Sequence, residues 1–60
     1  MPRFDGMTTN ERLFEAGLLD VWDAAFARRD RDEMIALLVR VDLAEQAAWI
    51  TDQALWNEAS

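Results

Sequence analysis

The sequence predicts an all-α protein, a compact domain of three helices. Only two Gly and one Pro occur in the 60 residues, and from Thr8 onward Gly17 alone interrupts a composition that favours helices. Apolar residues recur with the helical period of about 3.6 residues, and no segment shows the alternation of β-branched and polar residues that is typical of a strand. The length of the chain allows a single domain.

At the start of each predicted helix, two residues three positions apart have the spacing of a capping box. In that motif a side-chain oxygen accepts a hydrogen bond from a free N–H of the first turn, and a Glu three positions later bonds back. The three pairs are Thr8–Glu11, Asp30–Glu33 and Asp42–Glu45. We therefore predict helices over residues 9–28, 31–40 and 43–57. Residues 1–7 are predicted to be a flexible N-terminal lead-in, and residues 8–60 the three-helix domain.

The first predicted helix has one apolar face when its residues are projected at about 100° each. Gly17 lies on that face. A glycine in the middle of a helix costs about 1 kcal/mol relative to Ala, so its position there suggests the close approach of another helix. The residues of this predicted face are Phe14, Gly17, Leu18, Val21 and Ala25.

The other two predicted helices differ in how much of their surface is apolar. Apolar residues cover more than half of the second helix, which must therefore be enclosed by its neighbours; they are Met34, Ile35, Leu37, Leu38 and Val41. The third helix has a narrower inner stripe, whose small residues permit close packing. That stripe consists of Leu43, Ala47, Ile50 and Ala54, widened by Ala44, Thr51 and Leu55.

The composition excludes several kinds of chemistry. The chain has no Cys and no His, which removes disulfides, zinc sites and Ser–His or Cys–His couples. Twelve acidic against six basic residues give a net charge of −6, which disfavours nucleic acids and anionic membranes as partners. We expect a protein that is not an enzyme, with no catalytic residues, no cofactor, no metal and no small-molecule substrate.

The expected setting is the cytoplasm of a bacterium. The first ten residues lack the apolar stretch of a signal peptide, and no run approaches the roughly eighteen apolar residues of a membrane span. All six basic residues are Arg and ten residues are Ala, a usage typical of GC-rich bacterial genomes.

Two motifs near the middle of the chain have simple structural explanations. Asp30 and Asp32 form a D-x-D pair, but the further oxygen ligands of a calcium loop do not follow, and the preceding Arg28 and Arg29 would repel a cation. We interpret the pair as a solvated capping turn. The second and third predicted helices, joined by the short link Arg40–Asp42, have the arrangement of a helix-turn-helix, yet the third contains no Lys or Arg with which to read DNA.

Aromatic residues beyond the needs of a simple core are the strongest indication of function. Trp49 and Trp56 stand seven residues apart on the third predicted helix, roughly 130–150° from the centre of its inner stripe. Leu19, Trp22 and Phe26 form a second line on the first predicted helix. Either the helices rotate until these side chains join the core, or the lines form a surface for a partner. Self-association satisfies both alternatives, since a dimer buries such lines as an extended core.

The sequence therefore favours a non-enzymatic protein–protein interaction or self-association domain, present as a homodimer or docked on a larger partner. The alternative is an acidic inhibitor, or a nucleic-acid mimic, that occupies a basic site on a partner protein. The predicted interface residues are Leu19, Trp22, Phe26, Trp49 and Trp56.

Several runs of the sequence form a recognisable pattern. They are NERLFEAGLLD at 10–20, AA at 24–25, RRD at 28–30, MIA at 34–36, VDL at 41–43 and QAAW at 46–49. This pattern resembles small uncharacterised helical proteins of alphaproteobacteria over about residues 10–56. The resemblance implies a compact natural domain in a bacterial cytoplasm, and it carries over no functional residue.

Overall fold

Four α-helices follow one another along the chain. They are α1 (Thr9–Glu15), α2 (Leu19–Ala27), α3 (Arg31–Arg40) and α4 (Ala47–Ala59), with a single 3-10 turn at Ala44–Gln46 before α4. The computed structural model describes Phe4 and residues 6–59, with side chains up to residue 57, and this part of the chain contains no strand. The predicted all-α class is confirmed. The predicted count of three is wrong, because the described residues form four helices.

The additional helix arises because the segment predicted as one helix over 9–28 is divided at Gly17. Gly17 has a φ of 73°, in the left-handed region that favours glycine. Its N–H donates to Phe14 O at 3.0 Å, and the N–H of Leu18 donates to Leu13 O at 2.8 Å. These two bonds define a Schellman motif that ends α1. A Cβ at Gly17 would meet no atom within 4 Å, so the close helix approach that we predicted there is wrong.

The same motif ends α2 and α3, although neither end has a glycine. Arg29 and Asp42 take the left-handed position, with φ values of 58° and 65°. The matching long bonds run from Asp30 N to Ala25 O at 2.9 Å and from Leu43 N to Leu38 O at 3.0 Å. In each link the residue after the left-handed one is also the N-cap of the next element. These short links leave little freedom in how consecutive helices are placed.

The predicted N-terminal caps have different outcomes. The capping box at Thr8 and Glu11 is confirmed, with both of its bonds present at 2.9 and 3.2 Å. Asp30 also caps its helix, because its Oδ1 accepts from the N–H of Glu33 at 3.2 Å. The cap predicted at Asp42 is wrong. Asp42 ends α3 in the left-handed position, and the next element starts at Leu43 without a side-chain cap bond.

The break at Gly17 changes which residues of α1 and α2 face inward. A continuous helix would direct Phe14 and Val21 toward the core, but both are exposed, so their predicted burial is wrong. Trp22 is buried instead. The reason is that α2 starts with a new orientation after the left-handed residue, and the angular projection from α1 no longer applies. The inward residues of the two helices are Leu13, Leu18, Trp22 and Ala25.

The core is centred on α3, which contacts the other three helices. This agrees with the enclosure predicted for that segment, since Met34, Leu37, Leu38 and Val41 are buried and Ile35 packs against them. From the stripe predicted on α4, Ala47 and Thr51 are buried, and Leu43, Ile50, Ala54 and Leu55 pack partly against the core, whereas Ala44 is exposed.

The N-terminal segment is attached to this core. Phe4 is buried and Met7 packs against the core, so the core extends into residues 1–7, where we predicted a flexible lead-in. Residues 1–3 and 5 of that lead-in lie outside the described residues. Arg12 joins the segment to the end of α3, because its Nε donates to Met7 O at 3.1 Å and its Nη1 to Val41 O at 2.9 Å.

Candidate functional site

The surface that stands out is the side of α4 that faces away from the core, here called the outer face of α4 and defined by Trp49, Asp52, Gln53 and Trp56. The two indoles are 67% and 70% exposed. Globular helices normally direct their largest apolar side chains inward. In α4 the two Trp side chains are on the outside, whereas the buried positions among its described side chains hold only Ala47 and Thr51, and Ile50 and Leu55 are partly buried against the core.

Thr51 increases this contrast between the outer and inner sides of α4. Its side chain is 0% exposed, and its hydroxyl has no hydrogen-bond partner among the described residues. A buried hydroxyl without a partner loses its hydration and gains no bond in return. The helix thus places a polar group in the core and two of the three Trp of the chain in solvent.

The two indoles form one continuous line. Seven residues correspond to nearly two full turns, so Trp49 and Trp56 lie about 10 Å apart along the axis and within about 20° of one another around it. Asp52 and Gln53 lie between them, about 50° to either side of the line. Both of these side chains are exposed, so the outer face consists of two indole rings with a carboxylate on one flank and an amide on the other.

The outer face carries almost no net charge. From Gln46 to Asn57, Asp52 is the one ionisable residue, in a chain whose net charge is −6. Its carboxylate pairs with Arg31 of α3, with Nε–Oδ1 at 2.7 Å and Nη2–Oδ2 at 3.3 Å. The hydrogen bond from the Arg31 guanidinium lowers the pKa of Asp52, and the same bond raises the pKa of Arg31. The carboxylate of Asp52 is therefore neutralised by a cation from the same molecule.

The structure separates the predicted interface residues into two groups. Trp49 and Trp56 share the outer face of α4. Trp22 is only 7% exposed and belongs to the core, so it presents no surface to a partner. Leu19 and Phe26 are half-buried and pack against the core, and the Arg29 guanidinium covers the Phe26 ring at 5.0 Å from its centroid.

The prediction did not include Phe14, which is 73% exposed on α1. It borders a shallow depression of about 210 Å³ together with Gly17, Leu19 and Asp20. A helix end at Gly17 is the sequence signal that would have placed Phe14 outside. The apolar face predicted for Phe14 assumed one continuous helix over residues 9–28. Phe14 differs from the Trp pair in that it is the single aromatic residue of α1, whereas Trp49 and Trp56 share one face of α4.

A second depression, of about 440 Å³, lies near the start of α4. Its lining combines charged, amide and apolar groups: Arg12, Val39, Asp42, Leu43, Ala44, Glu45 and Gln46. Among the side chains that the structure describes, no group of three or more Asp, Glu, His or Cys could hold a metal ion. None of the described helices combines the length and the hydropathy needed to span a membrane.

Comparisons with protein-family models, with curated proteins and with solved structures gave no match for this chain. The fold and the outer face of α4 define the class of the protein as a small all-helical domain with an exposed pair of Trp. The resemblance to small alphaproteobacterial proteins stays a prediction.

Proposed function

We propose that this chain is a non-enzymatic protein-interaction domain whose contact surface is the outer face of α4. The observation that carries the proposal is that Trp49 and Trp56 lie in solvent while Thr51, on the opposite side of α4, occupies the core. Exposed Trp residues with polar neighbours are typical of the energetically dominant residues of protein interfaces.

The area available on the two indoles is large enough to support binding. A Trp side chain offers up to about 250 Å², so the exposed fractions of Trp49 and Trp56 leave about 340 Å² to be covered. At about 25 cal/mol per Å², covering it contributes roughly 8 kcal/mol before the costs of association. Those costs are about 4–15 kcal/mol, so the Trp pair supplies a major part of the affinity and needs support from its surroundings.

The proposal includes the remaining predictions about function. Leu19 and Phe26, on α2, offer a partner only their exposed portions, separately from the outer face of α4, and Trp22 contributes to stability. The domain acts in the cytoplasm and without a cofactor, a metal or a small-molecule substrate.

The test compares two changes of similar exposure on different helices. The double variant Trp49→Gln/Trp56→Gln removes the Trp pair, and Phe14→Gln removes an equally exposed aromatic from α1. We expect both proteins to keep the helical content of the parent and, at concentrations where the parent is monomeric, its unfolding midpoint. Association, with itself or with a purified partner obtained from the native cells, should be lost in the double variant and kept in Phe14→Gln. Unchanged association of the double variant would overturn the proposal.

The alternative function, a mimic that occupies a basic site, is supported by the charges of α1 and α2. These helices contain four acidic residues and one basic residue, Arg12, whose guanidinium is turned toward the carbonyls of Met7 and Val41. A mimic binds through these acids, so its affinity falls steeply with salt, falls further when Asp20 and Asp23 are changed to Asn, and does not depend on Trp49. Salt-independent binding would contradict this alternative.

A further inference from the structure

We infer that the outer face of α4 is covered by the same face of a second copy of this chain, with the two α4 helices antiparallel about a two-fold axis. This inference rests on the proposed function and names its partner.

Charge determines where two copies can meet. Each protomer has a net charge of −6, so contact through acidic regions such as α1 and α2 places carboxylates against carboxylates. A two-fold interface uses one patch twice and must therefore be complementary to itself. The outer face of α4 meets this condition, because its side chains are apolar or amide except for Asp52, which Arg31 neutralises.

Geometry selects the antiparallel arrangement. The midpoint between Trp49 and Trp56 falls between Asp52 and Gln53. A two-fold axis through that midpoint places each Trp49 opposite Trp56 of the second copy, so both indole contacts form at once. Antiparallel helices also align their macrodipoles favourably, whereas parallel ones do not. The same axis brings the Asp52 side chains of both copies to one flank, and Arg31 then offsets their repulsion.

The area sets the expected strength. Two protomers together cover about 680 Å² through their indoles alone. Stable interfaces bury about 1,200–2,000 Å² in total, so the Trp pairs supply about half of the lower limit, and their neighbours on α4 supply the rest. We expect a dimer at the small end of this range, with a dissociation constant in the micromolar region.

The first experiment is sedimentation velocity of the full chain over a concentration series that reaches the high micromolar range. The parent should change from monomer to dimer. Trp49→Gln and Trp56→Gln should each weaken the dimer by about tenfold or more, and Phe14→Gln should leave it unchanged. If the parent stays a monomer throughout, the inference is wrong. The proposed function then still stands if the Trp variants lose binding to a different protein, so the two failures are distinguishable.

The second experiment tests the antiparallel arrangement by disulfide cross-linking. Because the chain has no Cys, an introduced Cys can form a disulfide only with its counterpart in a second copy. In the antiparallel pair Gln53 lies beside its own counterpart, whereas the counterpart of Asn57 is about 13 Å away along the axis. Gln53→Cys should therefore form a covalent dimer on oxidation at concentrations where the parent is dimeric. Asn57→Cys, on the same flank, should not. Equal cross-linking of both variants, or of neither, would overturn the antiparallel arrangement.

The third experiment examines the role of Arg31. Arg31→Gln leaves Asp52 without its cation and should weaken the dimer by about threefold or more, since two carboxylates then share one flank. The double variant Arg31→Gln/Asp52→Asn should restore it. If Arg31→Gln has no effect while Trp49→Gln does, the two copies do not meet with their Asp52 residues on one flank.

Discussion

Trp22 and the pair formed by Trp49 and Trp56 are the same residue type in helices of one small domain, yet their surroundings are opposite. Trp22 is 7% exposed and the other two are 67% and 70% exposed. The left-handed residue before α2 gives that helix a new orientation, which directs Trp22 inward. In α4 the helix continues without a break from Ala47, and its inner side consists of Ala47, Thr51 and the partly buried Ile50, Ala54 and Leu55, which leaves both Trp outside. Burial of Trp here depends on helix orientation, and not on residue type.

The largest expected effect comes from truncating the inner Trp. Trp22→Ala should lower the free energy of unfolding by about 3–5 kcal/mol, because it removes a large buried side chain and leaves a cavity. A domain of this size has only about 3–9 kcal/mol of stability, so this variant should be partly or fully unfolded.

The outer Trp residues provide the contrast. Trp49→Gln and Trp56→Gln should each change the stability of the monomer by no more than about 0.5 kcal/mol. Urea unfolding followed by far-UV circular dichroism, at concentrations where the protein is monomeric, measures all three variants. Trp22→Phe is the control for cavity size and should cost less than Trp22→Ala. A cost at Trp49 equal to that at Trp22 would show that Trp49 is also buried in the monomer.

Gly17 controls the orientation of α2, and its replacement has a predicted sign. Gly17→Ala should lower the free energy of unfolding by about 1 kcal/mol, since a Cβ is unfavourable at a φ of 73°. No atom lies close enough to add a steric cost. If residues 9–28 formed one helix, the same change would instead stabilise the protein by about 1 kcal/mol.

A D-Ala at position 17, introduced by chemical synthesis, is the matched control. It fits a positive φ and reduces the freedom of the unfolded chain, so it should stabilise the protein by about 0.4–1 kcal/mol. Stabilisation by L-Ala together with destabilisation by D-Ala would show that α1 and α2 are continuous in solution.

Gly17 also shows where sequence reasoning reaches its limit. The all-α class, the cap at Thr8 and the enclosed face of α3 follow from period and cap chemistry, because both are local properties. A glycine within an apolar helical pattern satisfies two interpretations, a mid-helix packing contact and the end of a helix. The structure decides between them through the hydrogen bond from Leu18 N–H to Leu13 O and the burial of both residues, neither of which can be read from local sequence.

Asp42 illustrates the same ambiguity with a polar residue. An Asp three residues before a Glu has the chemistry of an N-cap, but the packing of α3 places this one at the helix end. The candidate site was easier to predict on α4 than on α2. Angular projection holds within an unbroken helix, so the positions of Trp49 and Trp56 follow from it, whereas that of Trp22 requires knowledge of the break.

The next prediction concerns the inner side of α4. Thr51→Val should raise the free energy of unfolding by about 1 kcal/mol, because it replaces a buried hydroxyl that has no partner among the described residues with a methyl group of similar size. Thr51→Ser is the control, since it keeps the hydroxyl and loses the methyl, and should destabilise the protein. Thermal unfolding measures both. Destabilisation by Val would show that the hydroxyl is bonded in solution, which would weaken the contrast between the outer and inner sides of α4.

Arg29 and Asp42 are non-glycine residues with a positive φ. Replacing each by Gly should change the free energy of unfolding by different amounts, and the difference should be smaller than the preceding effects. Asp42→Gly should stabilise the protein by about 0.5–1 kcal/mol, since it relieves a positive φ and removes a negative charge from the C-terminal end of α3. Arg29→Gly should gain less. Its guanidinium donates to Phe26 O at 3.0 Å and covers the Phe26 ring, and both contacts are lost with the side chain. Equal gains would show that these contacts at the end of α2 contribute nothing.

The smallest expected effect is the pH dependence of the Arg31–Asp52 pair, which flanks the outer Trp residues. Because Arg31 lowers the pKa of Asp52, the pair stabilises the folded state fully above the pKa that this carboxyl has in the unfolded chain. That stabilisation is lost as the pH falls through the lowered pKa in the folded state, which places the loss below about pH 4.

The pair is exposed, so its contribution is small. Asp52→Asn should therefore lower the stability slightly at neutral pH, where the pair is present, leave it unchanged at low pH, and so flatten the acid limb of the stability curve. Glu11, whose pKa is lowered by its hydrogen bonds with Thr8 in the capping box, adds an acid dependence of the same sign, which makes Thr8→Ala the matched control on α1. If Asp52→Asn alters the acid limb only at concentrations where the protein is dimeric, the ion pair acts at the contact between copies and contributes little within one molecule.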